Sequence, residues 1–367
     1  MKFCIIGAGS GGRAFAAYLA SKGHPVNLYN RSLTRIIDIK KKGGIKASGE
    51  IKGFFPINIV TQDLKLAIKD ADIILIVVPA SAHKDIAKKI IKYLSHDQII
   101  LLNPGRTFGA VEFRRTIEKE GITFPIFIAE TQTLLFTSRK LKKNGVKILK
   151  IKNSVDFAAF PDKNTFYIYD TLKDVFPQLN PVEDYLEMTL NNIGMLLHPT
   201  ISLLNAGAMD SGLDFKFYAE GATNRICEVL ENVQIELNNI FKILGISQFS
   251  FCSWVNNSYG VNKKCIHDSI QAIIAYKNII APKILITRYF TEDVPTGLVP
   301  ISSLAKFLGV QTPIIDAIIQ LTSILCGVDF RNEGRTINGL ELEGIINKRI
   351  TKIESIGFEL KQEIYIT

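Results

Sequence analysis

The sequence predicts an α/β Rossmann fold, with a doubly wound and mainly parallel sheet, followed by an all-α C-terminal domain. Three observations lead to this prediction. An apolar strand runs directly into a glycine-rich turn at residues 7–12. Short β-branched segments then alternate with helical patterns, as is typical of a parallel sheet covered by helices. From about Tyr185 onward, apolar residues recur with the helical period instead.

The first half of the chain contains seven predicted strands and three predicted helices. The strands are expected at residues 2–6, 25–29, 73–78, 98–102, 125–129, 146–150 and 155–160. The helices are expected at residues 11–21, 81–94 and 110–119. Residues 176–183, which include Pro177 and Pro181, are interpreted as a linker. The domains are therefore predicted at residues 1–180 and 181–367, with a long helix near residues 226–244 in the second.

Length and composition are those of a globular protein. The chain has 367 residues, of which 47% are hydrophobic and 22% charged, and this length allows two domains that each bury a core. Its apolar runs fall short of the roughly 20 residues of a membrane span, so a cytoplasmic protein without membrane contact is expected. The net charge of +9 is spread along the chain, and no basic motif with interleaved aromatics predicts nucleic-acid binding. The cluster Lys40, Lys41, Lys42 and Lys46 is expected in a loop.

The five cysteines form no Cys-x-x-Cys motif and no paired spacing. Neither a metal site nor a disulfide framework is therefore expected. Cys4 lies in the first predicted strand, where it is interpreted as a small buried apolar residue.

The glycine-rich turn predicts a site for a dinucleotide. Gly7 permits the tight turn, Gly9 lets the backbone approach a pyrophosphate, and Gly12 lets the helix pack closely on the strand. Ser10 and Gly11 begin the helix, whose free N–H groups and positive dipole end favour phosphates. The position of this motif between a strand and a helix supports the interpretation.

The end of the second strand predicts the preferred cofactor. An acidic residue at this position would hold the ribose 2′-hydroxyl of NAD, but this chain has Asn30 and Arg31. Arg31 can pair with a 2′-phosphate, which an acid would repel. NADPH is therefore favoured over NADH, and the alternative for Arg31 is a solvated surface charge.

Further motifs occur in one order along the chain. In the first half they are Val78-Pro79 with His83, Asn103-Pro104-Gly105-Arg106-Thr107, Ala129-Glu130-Thr131-Gln132-Thr133 and Ala158-Ala159-Phe160-Pro161. In the second half they are Leu190-Asn191-Asn192-Ile193-Gly194, His198-Pro199, Leu204-Asn205-Ala206-Gly207, Tyr218-Ala219-Glu220-Gly221 and Arg288-Tyr289-Phe290-Thr291-Glu292-Asp293-Val294-Pro295. Together they resemble the octopine/nopaline (opine) dehydrogenase family, from Met1 to about Val310.

The resemblance implies an NAD(P)H-dependent reductive condensation of an amino acid with an α-keto acid such as pyruvate, through an imine. It also implies that both substrates bind in the cleft between the two domains. A simple 2-keto acid reductase, of the ketopantoate or glycerol-phosphate type, is the alternative enzyme. Such folds usually use a lysine of the helical domain as the acid. A third alternative is a catalytically silent NADPH-binding protein, which would need neither a catalytic histidine nor a substrate-binding arginine.

His198 is the candidate catalytic acid. Reduction of a C=O or C=N bond by hydride needs a proton donor, and imidazole titrates near neutral pH. His198 precedes Pro199 at a predicted break in an apolar helix; the residues alone leave a structural histidine open, and the resemblance favours catalysis. Asp293 would accept a hydrogen bond from the imidazole, fix its tautomer and stabilise its charged form. A turn or helix-capping aspartate is the alternative for Asp293.

Four residues are candidate substrate ligands. Arg288 can clamp the carboxylate of a keto acid through its planar guanidinium, with a structural salt bridge as the alternative. Arg106 follows a strand at the edge where doubly wound sheets bind ligands, so it is a candidate for a second carboxylate. Glu130 and Thr131 end the next strand at the same edge and resemble positions that contact the amino acid; strand-end capping is the alternative for Thr131.

Other features are expected to border the site or remain undetermined. Val78, Pro79 and His83 are expected beside the nicotinamide ribose. Some relatives carry a cysteine where this chain has residues 136–138, Phe-Thr-Ser, and no residue identifies the amino-acid side chain. The helical pattern at residues 340–353 fits either a homodimer interface or the core, and the core is favoured.

Overall fold

The computed structural model describes residues 1–366, which form two sheets and a helical C-terminal region. The strands are β1 Phe3–Ile6, β2 Val26–Tyr29, β3 Gly44–Gly49, β4 Gly53–Pro56, β5 Ile59–Thr61, β6 Ile73–Ile76, β7 Ile99–Leu102, β8 Phe127–Thr131, β9 Phe136–Lys140, β10 Gly145–Ile151, β11 Val155–Ala159 and β12 Leu179–Pro181. The helices are α1 Ser10–Ser21, α2 Ile37–Lys42, α3 Leu64–Ile68, α4 His83–Ile90, α5 Gly109–Lys119, α6 Thr165–Leu172, α7 Tyr185–Leu190, α8 Ile193–Leu204, α9 Ala206–Asp210, α10 Asn224–Ile243, α11 Phe251–Tyr259, α12 Ile266–Ala272, α13 Arg288–Thr291, α14 Val299–Leu308, α15 Pro313–Cys326, α16 Phe330–Glu333 and α17 Glu343–Ile366.

The larger sheet confirms the predicted doubly wound architecture. Its strand order is β12-β11-β8-β7-β6-β1-β2-β5. All neighbouring pairs run parallel except β8 and β11. The chain moves outward from β1 to β2 and β5, then returns to β6 on the other side of β1. The crevice between β1 and β6 is therefore the topological switch point, where such sheets bind ligands.

The smaller sheet was not anticipated from the sequence. Its strands lie in the order β4-β3-β10-β9. Glycines and lysines interrupt these segments, so the apolar alternation that signals a strand is weak. Two expectations about the lysines are wrong: residues 40–42 end helix α2, and Lys46 lies within β3.

The predicted linker also contains a strand. Leu179–Pro181 pairs in parallel with β11 and becomes the edge of the larger sheet. A proline removes a hydrogen-bond donor, and an edge strand tolerates that loss on its open side. Residues 176–183 therefore extend the sheet before the chain enters the helical region.

The larger sheet buries a core on each face. Phe3 and Ile5 point into one core and Cys4 and Ile6 into the other, as the alternation of a strand requires. The second core continues without interruption into the helical region, where Leu197 belongs to it. The sheet and the helical region therefore share the core on this face, and the division into two domains stays a prediction.

The C-terminal region is helical, as predicted, with one isolated β-bridge between Lys216 and Ile280. Helix α10 matches the predicted long helix closely. At residues 340–353, Leu342 and Ile346 are fully buried, in agreement with the favoured core position. Across residues 1–366, none of the helices combines the length and the apolar character that a membrane crossing requires.

Candidate active site

The glycine turn is packed inward at two positions and open at a third. Gly7 has a φ of +117°, and a Cβ there would lie 2.3 Å from the Val77 carbonyl oxygen. A Cβ at Gly12 would lie 1.8 Å from the carbonyl oxygen of Gly7. A Cβ at Gly9 would meet no atom within 4 Å, so the backbone is open on that side. Helix α1 starts at the next residue without an acidic side chain in its first turn. These features fit a dinucleotide pyrophosphate.

Arg13 holds this turn in place, a role that sequence reasoning missed. Its side chain is almost fully buried. The guanidinium donates to the carbonyl oxygens of Ala8, Lys143, Gly145 and Arg35 at 2.7–3.2 Å. Arg13 therefore links the glycine turn to the smaller sheet, and these hydrogen bonds use most of the N–H donors of its guanidinium.

Asn30 and Arg31 lie at the end of β2, beside the turn. Asn30 accepts a hydrogen bond from the Ala8 amide at 3.0 Å and donates to the Ser32 carbonyl oxygen. Asn30 thus stabilises the glycine turn through its hydrogen bond with the Ala8 amide. The Arg31 side chain is exposed to solvent. Its pairing with a 2′-phosphate stays a prediction.

The switch point connects the glycine turn to the helical region. The loop after β6 packs against the turn, because Val78 lies close to Gly7. In the same loop, the Ala80 amide donates to the Glu292 carboxylate at 3.0 Å. In the loop after β7, the Thr107 amide donates to the Thr296 carbonyl oxygen, also at 3.0 Å. Residues 292–296 are therefore docked on the ligand edge of the sheet.

His198 and Asp293 meet at this junction. The imidazole Nδ1 lies 2.8 Å from Asp293 Oδ2, and Nε2 lies 3.0 Å from the Tyr218 hydroxyl. Tyr289 stacks on the imidazole with ring centroids 4.4 Å apart. The Asp293 side chain is 1% exposed and that of His198 is 19% exposed. A buried carboxylate thus orients a ring that keeps access to solvent.

The backbone is irregular beside Asp293 and continuously helical at His198. Asp293 begins a π-helical turn, Val294–Leu298, in which the Leu298 amide donates to the Asp293 carbonyl oxygen. Such turns are rare and frequently occur at functional sites. Helix α8 continues through Pro199, so the predicted break after His198 is wrong. Pro199 removes one donor within the helix but does not end it.

Arg106 lies behind the His198–Asp293 pair, called the dyad below, and bridges the adjacent acids Glu292 and Asp293. Its Nη2 is 3.1 Å from Asp293 Oδ1, and its Nε is 3.5 Å from Glu292 Oε1. Arg106 has a φ of +64°, an uncommon conformation for a residue with a side chain. A Cβ at Gly194 would lie 2.0 Å from Arg106 Nη1, which explains the glycine in that motif. The Arg106 side chain is 9% exposed and pairs with both acids, and its assignment as a ligand of a second carboxylate stays a prediction.

Glu292 balances the charges of this cluster. Burial alone would raise its pKa, but the charges of Arg106 and Arg288 bring the pKa down to about 2. Arg288 contacts Glu292 through Nε at 2.5 Å, and its side chain is 60% exposed. Two arginines and the two acids Glu292 and Asp293 cancel in formal charge. A proton on His198 would therefore give the cluster a net positive charge.

Glu130 and Thr131 are not exposed to the cleft. Glu130 is fully buried, and its oxygens accept hydrogen bonds from the Ala110 amide and the Thr189 hydroxyl. The Thr131 hydroxyl donates within the protein, to the Leu102 carbonyl oxygen at 3.3 Å. A substrate contact would require these bonds to break, because the ends of β7 and β8 are covered by α5 and α7. Their assignment as substrate ligands stays a prediction.

Glu130 makes stability depend on pH. Burial raises its pKa from 4.5 to about 7, so the folded chain keeps a proton that the unfolded chain releases. This contribution to stability is complete below about pH 4.5 and is lost as the pH rises through about 7. Glu130→Gln should therefore gain stability relative to the wild type on going from about pH 5 to about pH 8. Urea unfolding at both values measures this, with the exposed Glu118→Gln as the control. Parallel shifts in both variants would contradict it.

His83 and Arg335 form a buried connection between the two regions. His83 is fully buried and accepts from Arg335 Nη2 at 3.4 Å. Burial and the charge of Arg335 lower the His83 pKa to about 3, so the ring is neutral. Arg335 also donates to the Gly105 and Thr107 carbonyl oxygens and pairs with Glu112 at 2.8 Å. His83 thus lies buried beneath the loop that follows β6. Its predicted contact with the nicotinamide ribose stays a prediction.

Val78 and Pro79, in contrast, are partly exposed next to the glycine turn. Sequence reasoning missed Arg335 because its partners lie more than 220 residues away and are mostly backbone carbonyl groups. Tyr218 and Glu292 lie inside two of the sequence motifs, so a search of those motifs for polar neighbours of the dyad could have found them.

Two family models each match a part of the chain. The α-helical domain of NAD/NADP octopine/nopaline dehydrogenase matches residues 181–326. The N-terminal domain of NAD-dependent glycerol-3-phosphate dehydrogenase matches residues 2–105. These matches fall on the helical region and on the glycine turn with its sheet, respectively.

Individual relatives match over nearly the full length. Opine dehydrogenase from Arthrobacter sp. (strain 1C) is 41% identical over 344 residues, which cover 94% of this chain and 96% of that protein. A solved structure of octopine dehydrogenase with NADH and L-arginine has a TM-score of 0.76 at 18% identity, covering 94% of this chain and 96% of that one. Yersinopine dehydrogenase with NADP⁺ has a TM-score of 0.70 at 12% identity, covering 96% and 99%. The structural likenesses confirm the predicted fold.

Proposed function

The chain belongs to the octopine/nopaline dehydrogenase family of NAD(P)-dependent oxidoreductases that act on CH–NH bonds, and we propose that it joins an amino acid to an α-keto acid such as pyruvate. The observation that carries this proposal is the His198–Asp293 pair, whose neighbour Glu292 accepts a hydrogen bond from Ala80 in the loop after β6, at the switch point of the sheet. In this proposal, a proton-donating group and a dinucleotide site would face one cleft, as the reduction requires.

The proposed reaction forms one carbon–nitrogen bond and consumes one hydride. The amine nitrogen attacks the keto carbon, and the resulting hydroxyl group leaves as water to form the imine. A reduced nicotinamide cofactor, when bound, supplies the hydride that the imine carbon accepts. The sum is amino acid plus keto acid plus NAD(P)H plus one proton, giving a secondary amine dicarboxylate, NAD(P)⁺ and water.

His198 is proposed to give a proton to the leaving hydroxyl group. The Nδ1 proton is directed at Asp293, which leaves Nε2 as the atom that exchanges a proton with substrate. The Tyr218 hydroxyl now occupies Nε2, and we propose that a substrate oxygen shares or replaces this contact. The carboxylate of Asp293 would stabilise the charged ring, as in other acid–base pairs.

Arg288 is proposed to bind the carboxylate of the keto acid. Its contact with Glu292 uses Nε, and its side chain is exposed, so the two terminal nitrogens can form a bidentate contact. Arg106 is proposed to act as a positioning residue through Asp293 and Glu292. Glu130 and Thr131 would shape the floor of the amino-acid site from beneath.

The proposed cofactor is NADPH, with NADH used less well. The backbone at Gly9, Ser10, Gly11 and Gly12 would hold the pyrophosphate, and Asn30 would support the turn. The loop with Val78, Pro79 and His83 would border the nicotinamide ribose. The exposed Arg31, at the end of β2, would pair with the 2′-phosphate.

Arg31→Ala should weaken NADPH much more than NADH. A charge-assisted contact contributes about 1.5–3 kcal/mol, so the KM for NADPH should rise by about 10- to 100-fold. The KM for NADH should change by less than about 2-fold, because NADH lacks the 2′-phosphate. Steady-state kinetics with both cofactors measure this, and the exposed Arg225→Ala in the helical region is the control. Equal losses for both cofactors would refute the assignment.

The function is tested by the dependence of NADPH oxidation on two substrates. Pyruvate and a panel of L-amino acids are supplied singly and together, and oxidation is expected only with both. Oxidation with pyruvate alone at the full rate would instead favour a simple keto acid reductase.

A further inference from the structure

Lys152 is a buried cation that the proposed mechanism does not use. It lies between β10 of the smaller sheet and β11 of the larger sheet, and the residue is only 5% exposed. Its ammonium donates to the Thr133 hydroxyl at 3.0 Å. Thr133 belongs to the motif that follows β8, so Lys152 lies among the residues at the ligand edge.

Lys152 differs from the other buried cations in its partners. Arg106 and Arg335 each contact carboxylates, and Arg13 is bonded to four carbonyl oxygens. Among the side chains that the structure describes, no carboxylate lies within 4.0 Å of the Lys152 nitrogen. Burial and the charge of Arg106 lower the Lys152 pKa to about 7, consistent with an ammonium that has no counter-ion. Such a group is costly to bury unless an anion is supplied from outside.

Aromatic rings connect Lys152 to the dyad. Its ammonium lies 5.3 Å from the centroid of Trp254 and 5.9 Å from that of Tyr259. Tyr259 contacts Tyr276, which stacks on Tyr218 with centroids 4.2 Å apart. The Tyr218 hydroxyl then meets His198. One continuous wall therefore runs from the ammonium to the proposed acid.

A polar cavity adjoins this wall. It has a volume of about 130 Å³, and its lining includes Gln132, Asn191 and Trp254 together with the acids Asp156 and Glu187. Lys152 is not part of the lining and adjoins the cavity through the Trp254 ring. The Gln132 side-chain oxygen and the Trp254 indole nitrogen are buried without a hydrogen-bond partner. Buried polar groups are normally satisfied, so unpaired atoms beside a cavity indicate room for a polar ligand.

We propose that the Lys152 ammonium binds the α-carboxylate of the amino-acid substrate and so distinguishes amino acids from simple amines. This inference rests on the proposed condensation and assigns its second carboxylate contact. Arg288 holds the keto acid on one side of the cleft, and Lys152 holds the amino acid along the aromatic wall. The substrate carboxylate then serves as the counter-ion that no side chain of the described residues provides to Lys152.

The kinetic test compares amino acids with their decarboxylated amines. Pyruvate and NADPH are supplied with the pairs L-alanine and ethylamine, L-leucine and 3-methylbutylamine, L-phenylalanine and phenethylamine, and L-arginine and agmatine. For the best accepted pair, Lys152→Met should lower kcat/KM for the amino acid by about 10- to 100-fold. Values for the amine and the KM for pyruvate should change by less than about 3-fold. Lys147→Met, at an exposed lysine of β10, the strand that precedes Lys152, is the matched control and should behave as wild type.

A second measurement does not depend on turnover. Trp254 is the only tryptophan of the chain, so its emission reports directly on this wall. Titration of the NADP⁺-loaded protein with the same amino acids should change the emission of the wild type and of Lys147→Met, but not that of Lys152→Met. Lys152→Met should also melt at a higher temperature than the wild type, because an uncompensated buried charge is removed; a purely structural lysine predicts a lower value.

The outcomes separate the two proposals. If amino acids change the Trp254 emission of the wild-type protein but no condensation product forms, the proposed function alone is contradicted. An active enzyme in which Lys152→Met keeps the amino-acid preference of the wild type would overturn the role of Lys152. An unchanged Trp254 emission with every amino acid in the wild type would overturn it as well.

Discussion

Replacement of His198 by Gln is expected to lower kcat by about 10²- to 10⁴-fold, the usual contribution of a positioned acid. Glutamine keeps a polar side chain of similar reach but cannot donate a titrating proton to the leaving hydroxyl group. The affinity for NADPH should stay within about 2-fold, because the polar partners of His198 are Asp293 and Tyr218 and not residues of the glycine turn. Stopped-flow single turnovers measure the chemical step, and protein fluorescence measures cofactor binding.

A matched control exists on the surface of the helical region. His267 and Asp268 also form a histidine–aspartate contact, with Nδ1 3.2 Å from Oδ1, but Asp268 is largely exposed. His267→Gln should leave kcat unchanged, because His267 contacts Asp268 and not the proposed acid or its partners. Asp293→Asn should resemble His198→Gln, since an amide can no longer hold the proton on Nδ1. A His198→Gln enzyme with full turnover would remove the proposed acid.

Arg106→Met is expected to destabilise the fold by about 3–5 kcal/mol, as is typical when one partner of a buried ion pair is removed. Methionine fills much of the same volume, but it leaves the adjacent Glu292 and Asp293 without the cation between them. Both carboxylates are 1% exposed, so water cannot replace that charge without opening the interface. Urea unfolding followed by circular dichroism measures the loss.

The same substitution on the surface provides the comparison. Arg225 pairs with Glu228 and is 88% exposed, so Arg225→Met should cost less than about 1 kcal/mol. Neutralising one of the two buried acids should rescue part of the loss: Arg106→Met with Glu292→Gln should be more stable than Arg106→Met alone. A double variant that is less stable than the single one would show that Arg106 acts through packing and not through charge.

The parts of the fold that follow local rules were predictable from the sequence. The strand, glycine turn and helix at residues 3–21 lie within two residues of their predicted bounds, because Gly7 and Gly12 each have a steric reason that the local pattern encodes. The buried strands β6 and β7 were visible as apolar runs. The strands β3, β4 and β9 were missed because their stability comes from pairing with each other and with β10, which no local pattern encodes.

The candidate site was predictable only where motifs carried it. His198, Asp293 and Arg288 were selected from the chemistry of hydride reduction together with the family resemblance, and the structure brings them into one cluster. The partners of Arg335 are distant in sequence, and the proposed partner of Lys152 is a substrate and not a part of the protein. The sequence placed Glu130 at the end of a strand and therefore at the ligand edge of the sheet. It could not show that α5 and α7 cover that edge.

The formation of a carbon–nitrogen bond between the two substrates is the central claim, and labelled nitrogen tests it most directly. The enzyme is incubated with NADPH, pyruvate labelled with ¹³C and an amino acid labelled with ¹⁵N, and the products are examined by mass spectrometry. We predict one product that contains both labels, with the mass of the two substrates less water plus two hydrogens. Labelled lactate together with unchanged amino acid would contradict the account.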